Sequence, residues 1–170
     1  MARDFGFDTR QLESWQRQFL QLRNRKVRDA KNRIMRKGGL RALEVTMDNT
    51  PVDTGRLRAS MTFGDQDNVF LIRVTDTTAE ATVGTSVYYA VFVEDGFQQV
   101  AGQFVPGEFQ NLGGETIFRY IPGHDSGIVL TGKYIPGAKM FAKAVEALAE
   151  DFPEIVKQEI TRAARGVFGT

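Results

Sequence analysis

Apolar residues recur at helical spacing near the start of the chain, where Leu12, Trp15, Phe19 and Leu22 follow one another at three- and four-residue steps. With Asp8 and Thr9 as capping candidates, they predict an amphipathic helix to about Arg23. Val27, Ala30, Ile34, Gly38 and Val45 then stay on roughly one face, which predicts helix through the next segment as well. Gly38-Gly39 interrupts it: a glycine costs about 1 kcal/mol in a helix interior, so the pair either breaks the helix or permits a close crossing. Pro51 holds Thr50 out of the helical region and ends the element. Residues 55–60 suit one short helical turn, with Asp53 or Thr54 accepting from its exposed amides.

The period then changes. Over 69–74, Phe70, Ile72 and Val74 fall on one face of a strand, and 79–84 alternates small or apolar with polar residues. With Met61-Thr62-Phe63, these segments predict a three-stranded antiparallel meander. Residues 98–135 are rich in Gln, Gly and aromatics and repeat one phrase, at Arg119-Tyr120-Ile121-Pro122-Gly123 and Lys133-Tyr134-Ile135-Pro136-Gly137. Segments 116–121 and 128–135 suit a hairpin across His124-Asp125-Ser126-Gly127. A long apolar stretch of this kind reads as a projecting arm that orders on assembly, with Phe104, Phe109, Phe118, Tyr120 and Tyr134 as its partner contacts. From Ala138, Met140, Phe141, Ala144, Val145 and Leu148 are helical in spacing. Pro153 predicts a break, followed by a second stretch carrying Ile155, Val156, Ile160, Ala163 and Ala164 and ended by Gly166 and Gly169.

The pattern is that of an α+β chain: long N-terminal helices (8–50), a turn and β-meander with a short helix (51–96), a projecting arm (97–136) and C-terminal helices (137–167), in one domain of 170 residues. With no cysteine, the chain has neither a disulfide framework nor a thiol nucleophile. No stretch approaches the roughly 18 apolar residues that span a bilayer, and the start lacks a secretory apolar run, so cytoplasmic synthesis without membrane insertion is expected.

Net charge is only +1, but it is unevenly spread. Residues 17–41 hold ten Lys or Arg against the single acid Asp29, a local +9, whereas 42–137 hold five basic residues against twelve acids, a local −7. One surface should attract phosphate or acidic protein and another should attract basic protein; in a ring of identical subunits the two could meet. Arg23, Arg25, Lys26, Arg28, Lys31, Arg33, Arg36 and Lys37 are the candidates for contact with DNA or an acidic partner. Because they surround the helix instead of forming a stripe, a solvated or ring-facing helix is favoured over a DNA-binding one.

Candidate chemistry is sparse. Asp53-Thr54-Gly55 is also the triplet of aspartic proteases, whose mechanism needs two aspartates sharing a proton in a low-dielectric cleft. Here Pro51 precedes it, and Arg56 and Arg58 would hold Asp53 ionised. His124-Asp125-Ser126 is adjacent in sequence, unlike a triad assembled from separated positions, and reads as a turn. Glu94 and Asp95 with Asp53 make a poor cation site, because neighbouring acids are usually solvated or paired with Arg. No glycine pattern cradles phosphate, so no nucleotide is implied; with no better cation site than that one, neither a cofactor nor a metal is expected.

Two segments carry more. Thr50-Pro51-Val52-Asp53-Thr54-Gly55-Arg56-Leu57-Arg58-Ala59-Ser60-Met61 is followed by Val87-Tyr88-Tyr89-Ala90-Val91-Phe92-Val93-Glu94-Asp95-Gly96. The order Pro-x-Asp-Thr-Gly-x-Leu-x-x-Ser, strands, Tyr-Ala-x-x-x-Glu-x-Gly, then helix resembles the tail-component, or tail completion, family of long-tailed bacteriophages. The likeness covers about 5–96 and resumes at Pro136-Gly137-Ala138-Lys139-Met140; the long insertion after Gly96 departs from it. The resemblance implies that Asp53, Thr54, Gly55, Leu57, Arg58 and Ser60 build a structural turn and that Tyr89, Ala90, Glu94 and Gly96 build a second element near it. With Pro51, Arg56 and Asp95, these are the turn and interface candidates, and Arg56 or Arg58 is expected to pair with Glu94 or Asp95, within a subunit or across a ring interface. The resemblance further implies a non-enzymatic virion protein of the head–tail junction, assembled in the host bacterial cytoplasm. Its working form would be a homo-oligomeric ring of six subunits around the DNA channel, touching neck, connector and tail-tube or terminator proteins. A tail terminator or head-completion protein is the alternative within that class, and a basic non-specific DNA-binding protein is the alternative outside it.

Overall fold

The computed structural model describes residues 9–168, and among these the side chains of 9–15, 18, 19, 21, 22 and 166–168 lie outside the described set. The cap at Asp8, the apolar face of Leu12, Trp15, Phe19 and Leu22, and the stop at Gly169 therefore fall outside the described residues. The fold is α+β, and it divides into two compact units, Met1–Val87 with Met140–Thr170, and Tyr88–Lys139.

The first unit is built on α1 (Thr9–Asp48), a single helix of 40 residues. Ala30, Ile34, Gly38, Ala42, Thr46 and Thr50 are all buried at four-residue steps, so the inward stripe is made mostly of small side chains. Val27 is exposed and Val45 half-buried, which shifts the stripe from the one the spacing predicts. Thr46 Oγ1 donates to Ala42 O at 2.7 Å and Thr50 Oγ1 to Thr46 O at 2.7 Å, so the two buried hydroxyls are satisfied within the helix. Gly38 and Gly39 do not break it. A Cβ on Gly38 would lie 3.2 Å from the Phe152 ring, and one on Gly39 would lie 2.8 Å from the Phe70 ring. Of the two readings open for the pair, the structure takes the close crossing.

Phe152 belongs to α4 (Met140–Phe168), which packs antiparallel on α1. The break expected at Pro153 is absent: α4 runs through it and past Gly166. Proline cannot bond to the carbonyl of Ala149, but both residues are exposed, so water can satisfy that carbonyl. The helix is held on either side by Phe152 against Gly38 and by Glu159, which is 1% exposed. Met140, fully buried, meets Thr50 Oγ1 at 3.3 Å through its sulfur.

Phe70 lies on β1 (Asn68–Val74), which pairs antiparallel with β2 (Ala79–Thr85), with Phe70 opposite Val83 and Ile72 opposite Ala81. The third strand expected at 61–63 is not formed. Met61 N–H and Thr62 N–H instead donate to Arg58 O and Ala59 O, continuing the turns of α2 (Arg56–Ala59). Phe63 packs edge-on to Phe70, their centroids 4.9 Å apart, and Arg36 lies over the Phe63 ring at 5.1 Å.

The second unit holds α3 (Ala90–Asp95) and five short strands: β3 (Gly96–Gln98), β4 (Phe104–Leu112), β5 (Glu115–Tyr120), β6 (Gly127–Val129) and β7 (Tyr134–Pro136). β3 pairs with β7, and β4 is the centre of a three-stranded sheet between β5 and β6. The predicted pairing of 116–121 with 128–135 is therefore corrected: both pair with other strands. The decisive turn is Gly113-Gly114, two residues with φ of 64° and 95° that join Leu112 to its partner Glu115. Positive φ at both central positions defines a tight hairpin whose twist matches its strands.

Alanine at Gly39 is expected to lower stability by about 1 kcal/mol net, because overpacking against Phe70 outweighs the roughly 1 kcal/mol gained in helix propensity. Alanine at Gly38, where the neighbouring ring is less close, should be nearly neutral. Urea unfolding midpoints of the two variants check the difference.

Candidate functional site

The Asp-Thr-Gly corner is anchored by the residues that follow the triplet. Pro51, Val52, Asp53 and Thr54 are exposed, and Gly55 takes φ of 81° with no atom within 4 Å of a would-be Cβ, so it is required for conformation and not for space. Thr54 Oγ1 accepts weakly from Arg56 N–H at 3.5 Å. Leu57 is 4% exposed, and the 1% exposed Ser60 is the hub of the corner. Its Oγ donates to Leu57 O at 2.7 Å and accepts from Thr85 Oγ1 at 2.8 Å, while its carbonyl accepts from Asn68 Nδ2 at 2.9 Å. Thr85 Oγ1 in turn accepts from Val87 N–H at 3.0 Å. Ser60 thus ties the short helix to both strands at one end of the β1–β2 ribbon, to Thr85 through its hydroxyl and to the paired Asn68 through its carbonyl.

Arg56 pairs with Asp67 at 3.0 Å, and Arg58 is exposed with no ion-pair partner among the described residues. Asp95 pairs with Lys139 at 3.0 Å in the second unit, raising the lysine's pKa chiefly through that hydrogen bond. Neither arginine is the partner that the structure gives Asp95.

The Tyr-Ala-x-x-x-Glu-x-Gly element is α3 and its exit. Ala90 is buried, Tyr89 half-buried and Tyr88 exposed. Gly96 has φ of 82°, and a Cβ there would lie 2.3 Å from Ile135 O; one on Gly137 would lie 2.0 Å from Glu94 O. The two glycines let the chain entering β3 and the chain leaving β7 touch backbone to backbone. Ala138 N–H and Lys139 N–H donate to Val93 O and Glu94 O, and Tyr134 Oη donates to Asp95 O at 2.8 Å. The family resemblance implied a role for Gly96 and resumes across Gly137 and Lys139 without assigning those two one, although the second Tyr-Ile-Pro-Gly phrase marks the place.

The basic segment of α1 divides into occupied and open cations. Glu159 accepts from Arg33 Nε at 2.6 Å and from Lys37 Nζ at 2.7 Å, and Arg41 bonds both Asp151 and Glu44 at 2.8 Å. Lys37 first and Arg33 second hold the Glu159 carboxyl below the usual range, and the hydrogen bonds to Glu44 and Asp151 raise Arg41. Lys31 Nζ donates to the carbonyls of Thr75 and Asp76, and Arg36 covers Phe63. Arg23, bonded to neighbouring Asn24, and Arg25, Arg28 and the half-buried Lys26 carry no ion pair among the described residues. The acids on α4 were missed from the sequence, but their spacing held the signal: Asp151 and Glu159 are eight apart, as are Arg33 and Arg41, the match expected of antiparallel helices.

In the arm, Phe104, Phe109, Tyr120 and Tyr134 are exposed, while Phe118 is half-buried and edge-on to Phe109 at 5.3 Å. His124 Nδ1 lies 2.9 Å from Ser126 Oγ, which also reaches Gly107 O at 3.2 Å, within a turn whose Asp125 is exposed. Among the described residues, no cluster of three or more His, Cys, Asp or Glu is placed to hold a metal, and no helix is long and apolar enough to cross a membrane.

Residues 16–96 match the family described as "Bacteriophage HK97-gp10, putative tail-component". That is the family the two motifs resemble, and the matched segment holds both. The chain is also 32% identical over 101 residues to the uncharacterized protein YqbI of Bacillus subtilis (strain 168), spanning 55% of this chain and 57% of that protein. No solved structure matches the chain.

Replacing Glu159 with Gln should destabilise the fold by about 2 kcal/mol at pH 7, the scale of a hydrogen bond to a charged group. Because the folded carboxyl is depressed, its contribution is complete above the unfolded value of about 4.3 and fades as pH falls through the lower folded value. The gap between wild type and variant should therefore close below about pH 4.3; chemical denaturation at several pH values measures it, and a gap unchanged down to about pH 3 would contradict the assignment.

Proposed function

We propose that this chain, matched over residues 16–96 by a phage tail-component family, is a structural virion protein of the head–tail junction that works as a homo-oligomeric ring around the DNA channel. The family match carries the reading, because it takes in most of α1, the corner at Ser60, the β1–β2 ribbon and α3. The charge distribution supports a head-to-tail ring: such packing sets one surface against a different one, and the open cations near the start of α1 and the acidic middle of the sequence provide unlike surfaces. Its neighbours would be neck, connector and tail-tube or terminator proteins, with tail termination or head completion differing only in which of these it touches. The exposed Arg23, Arg25 and Arg28 with Lys26 favour, as a second role, sequence-independent binding of phosphate.

Electron microscopy of the purified protein and of virions tests the reading. Ring-shaped particles, six-fold by the family resemblance, and density at the neck are expected; a monodisperse monomer absent from virions would sink it. The phosphate role is separable. Charge reversal at Arg25 and Arg28 should weaken DNA binding and flatten its salt dependence by about one unit of log–log slope for each phosphate no longer neutralised, read by fluorescence anisotropy.

A further inference from the structure

We propose that two copies of this chain pair edge to edge through β5, antiparallel, with Ile117 opposite Ile117 of the second copy. The starting point is an exposed strand with one edge unused. β5 lies at the margin of its sheet and pairs only with β4. Its burial pattern is exposed at every position except Phe118, and Ile117 and Tyr120 are 42% and 60% exposed. The outer edge of this six-residue strand, apolar at Ile117, Phe118 and Tyr120 and charged at Glu115 and Arg119, presents unpaired backbone donors and acceptors that a second strand can satisfy.

The hydrogen-bond phase of β5 restricts the pairing. Ile121 N–H donates to Pro106 O on the β4 side at 3.0 Å. By the two-residue alternation of a strand, Glu115, Ile117 and Arg119 also turn their backbone groups toward β4, and Thr116, Phe118 and Tyr120 turn theirs outward. In an isologous antiparallel pair, outward groups must face outward groups. Registers that set Ile117 opposite Phe118 are thereby forbidden. Two remain central: one sets Ile117 opposite itself, the other Phe118 opposite itself.

Charge decides between them. With Ile117 on the two-fold axis, Thr116 and Phe118 exchange backbone bonds, and Glu115 falls opposite Arg119 of the second copy, twice by symmetry. These are non-hydrogen-bonded positions, where side chains approach most closely. Neither charge has an ion-pair partner among the described residues: Glu108, opposite Arg119 on β4, instead accepts from Gln110 at 2.8 Å. Arg119 would then sit between Glu108 of its own chain and Glu115 of the second copy. With Phe118 on the axis, Glu115 faces Ile121 and Arg119 faces Ile117, and both charges stay unmatched. The contact is isologous, so it closes as a pair and is distinct from the head-to-tail contact of a ring.

The chain has no cysteine, so a single Ile117→Cys variant of the full chain reports the register directly. Opposed residues at such a position lie about 4.5 Å apart between Cα atoms, within disulfide reach. Mild oxidation should cross-link Ile117→Cys into a dimer and leave Phe118→Cys largely uncross-linked; the reverse result would overturn the register. Thr116→Pro removes an outward N–H and no bond to β4, so sedimentation should show loss of pairing while amide exchange in β4 stays protected. Retention of pairing in that variant would overturn the edge contact, as would a wild type that is monomeric at every concentration. Arg119→Glu should weaken pairing about tenfold, and the double variant Glu115→Arg, Arg119→Glu should restore it; equal weakening in both would overturn the charge argument.

Discussion

Everything in the first unit depends on how closely α1 can be approached at Gly38 and Gly39. One glycine receives the Phe152 ring of α4 and the other the Phe70 ring of the β1–β2 ribbon, so two layers meet the same turn of one helix. Side chains of ordinary size would push both away. The cost in helix propensity is about 1 kcal/mol for each glycine, and α1 remains continuous across both because the rings and the small stripe from Ala30 to Thr50 fill the space. A long helix can tolerate a weak point in its middle when tertiary contacts converge on that point.

The same closeness determines what the basic segment can do. Ten cations along 17–41 look, on the sequence, like one polyanion-binding surface. Folding divides them. Once α4 lies against the glycines, Glu159 and Asp151 are brought level with Arg33, Lys37 and Arg41, and a nearly buried carboxylate takes up two of the charges. A buried carboxylate with one cation removed would be costly, so these side chains are committed to the fold. What remains for a partner is the stretch from Arg23 to Arg28. Charges do encircle the helix, as their spacing implies, and the physical cause is that different cations answer to different neighbours.

Legibility followed the range of the interactions. Helices, the β1–β2 ribbon and the Asp-Thr-Gly corner were readable because period, proline and glycine act within a few residues. The sheet around β4 was not, since Phe104 to Leu112 has no clean alternation and its partners both follow it at different distances along the chain; only the Gly113-Gly114 turn marked it locally. Pro153 misled for the complementary reason: its local cost is real, but Phe152 and Glu159 hold the helix on either side of it. The site divided likewise. Leu57 and Ser60 were identified, yet that Ser60 bonds Leu57, Thr85 and Asn68 at once is a tertiary fact no spacing contains.

That division alters what the Asp-Thr-Gly letters mean. In a protease the triplet's carboxylate is the buried, working group; here Asp53 is exposed, and the buried group is the hydroxyl seven residues later. Gly55 supplies the bend, Leu57 the anchor and Ser60 the hub, so the requirement of this corner is geometric and not acid–base. The exposed Asp53 carboxylate, flanked by an Arg56 already held by Asp67 and an Arg58 without an ion-pair partner among the described residues, places charge of both signs at the surface of the corner.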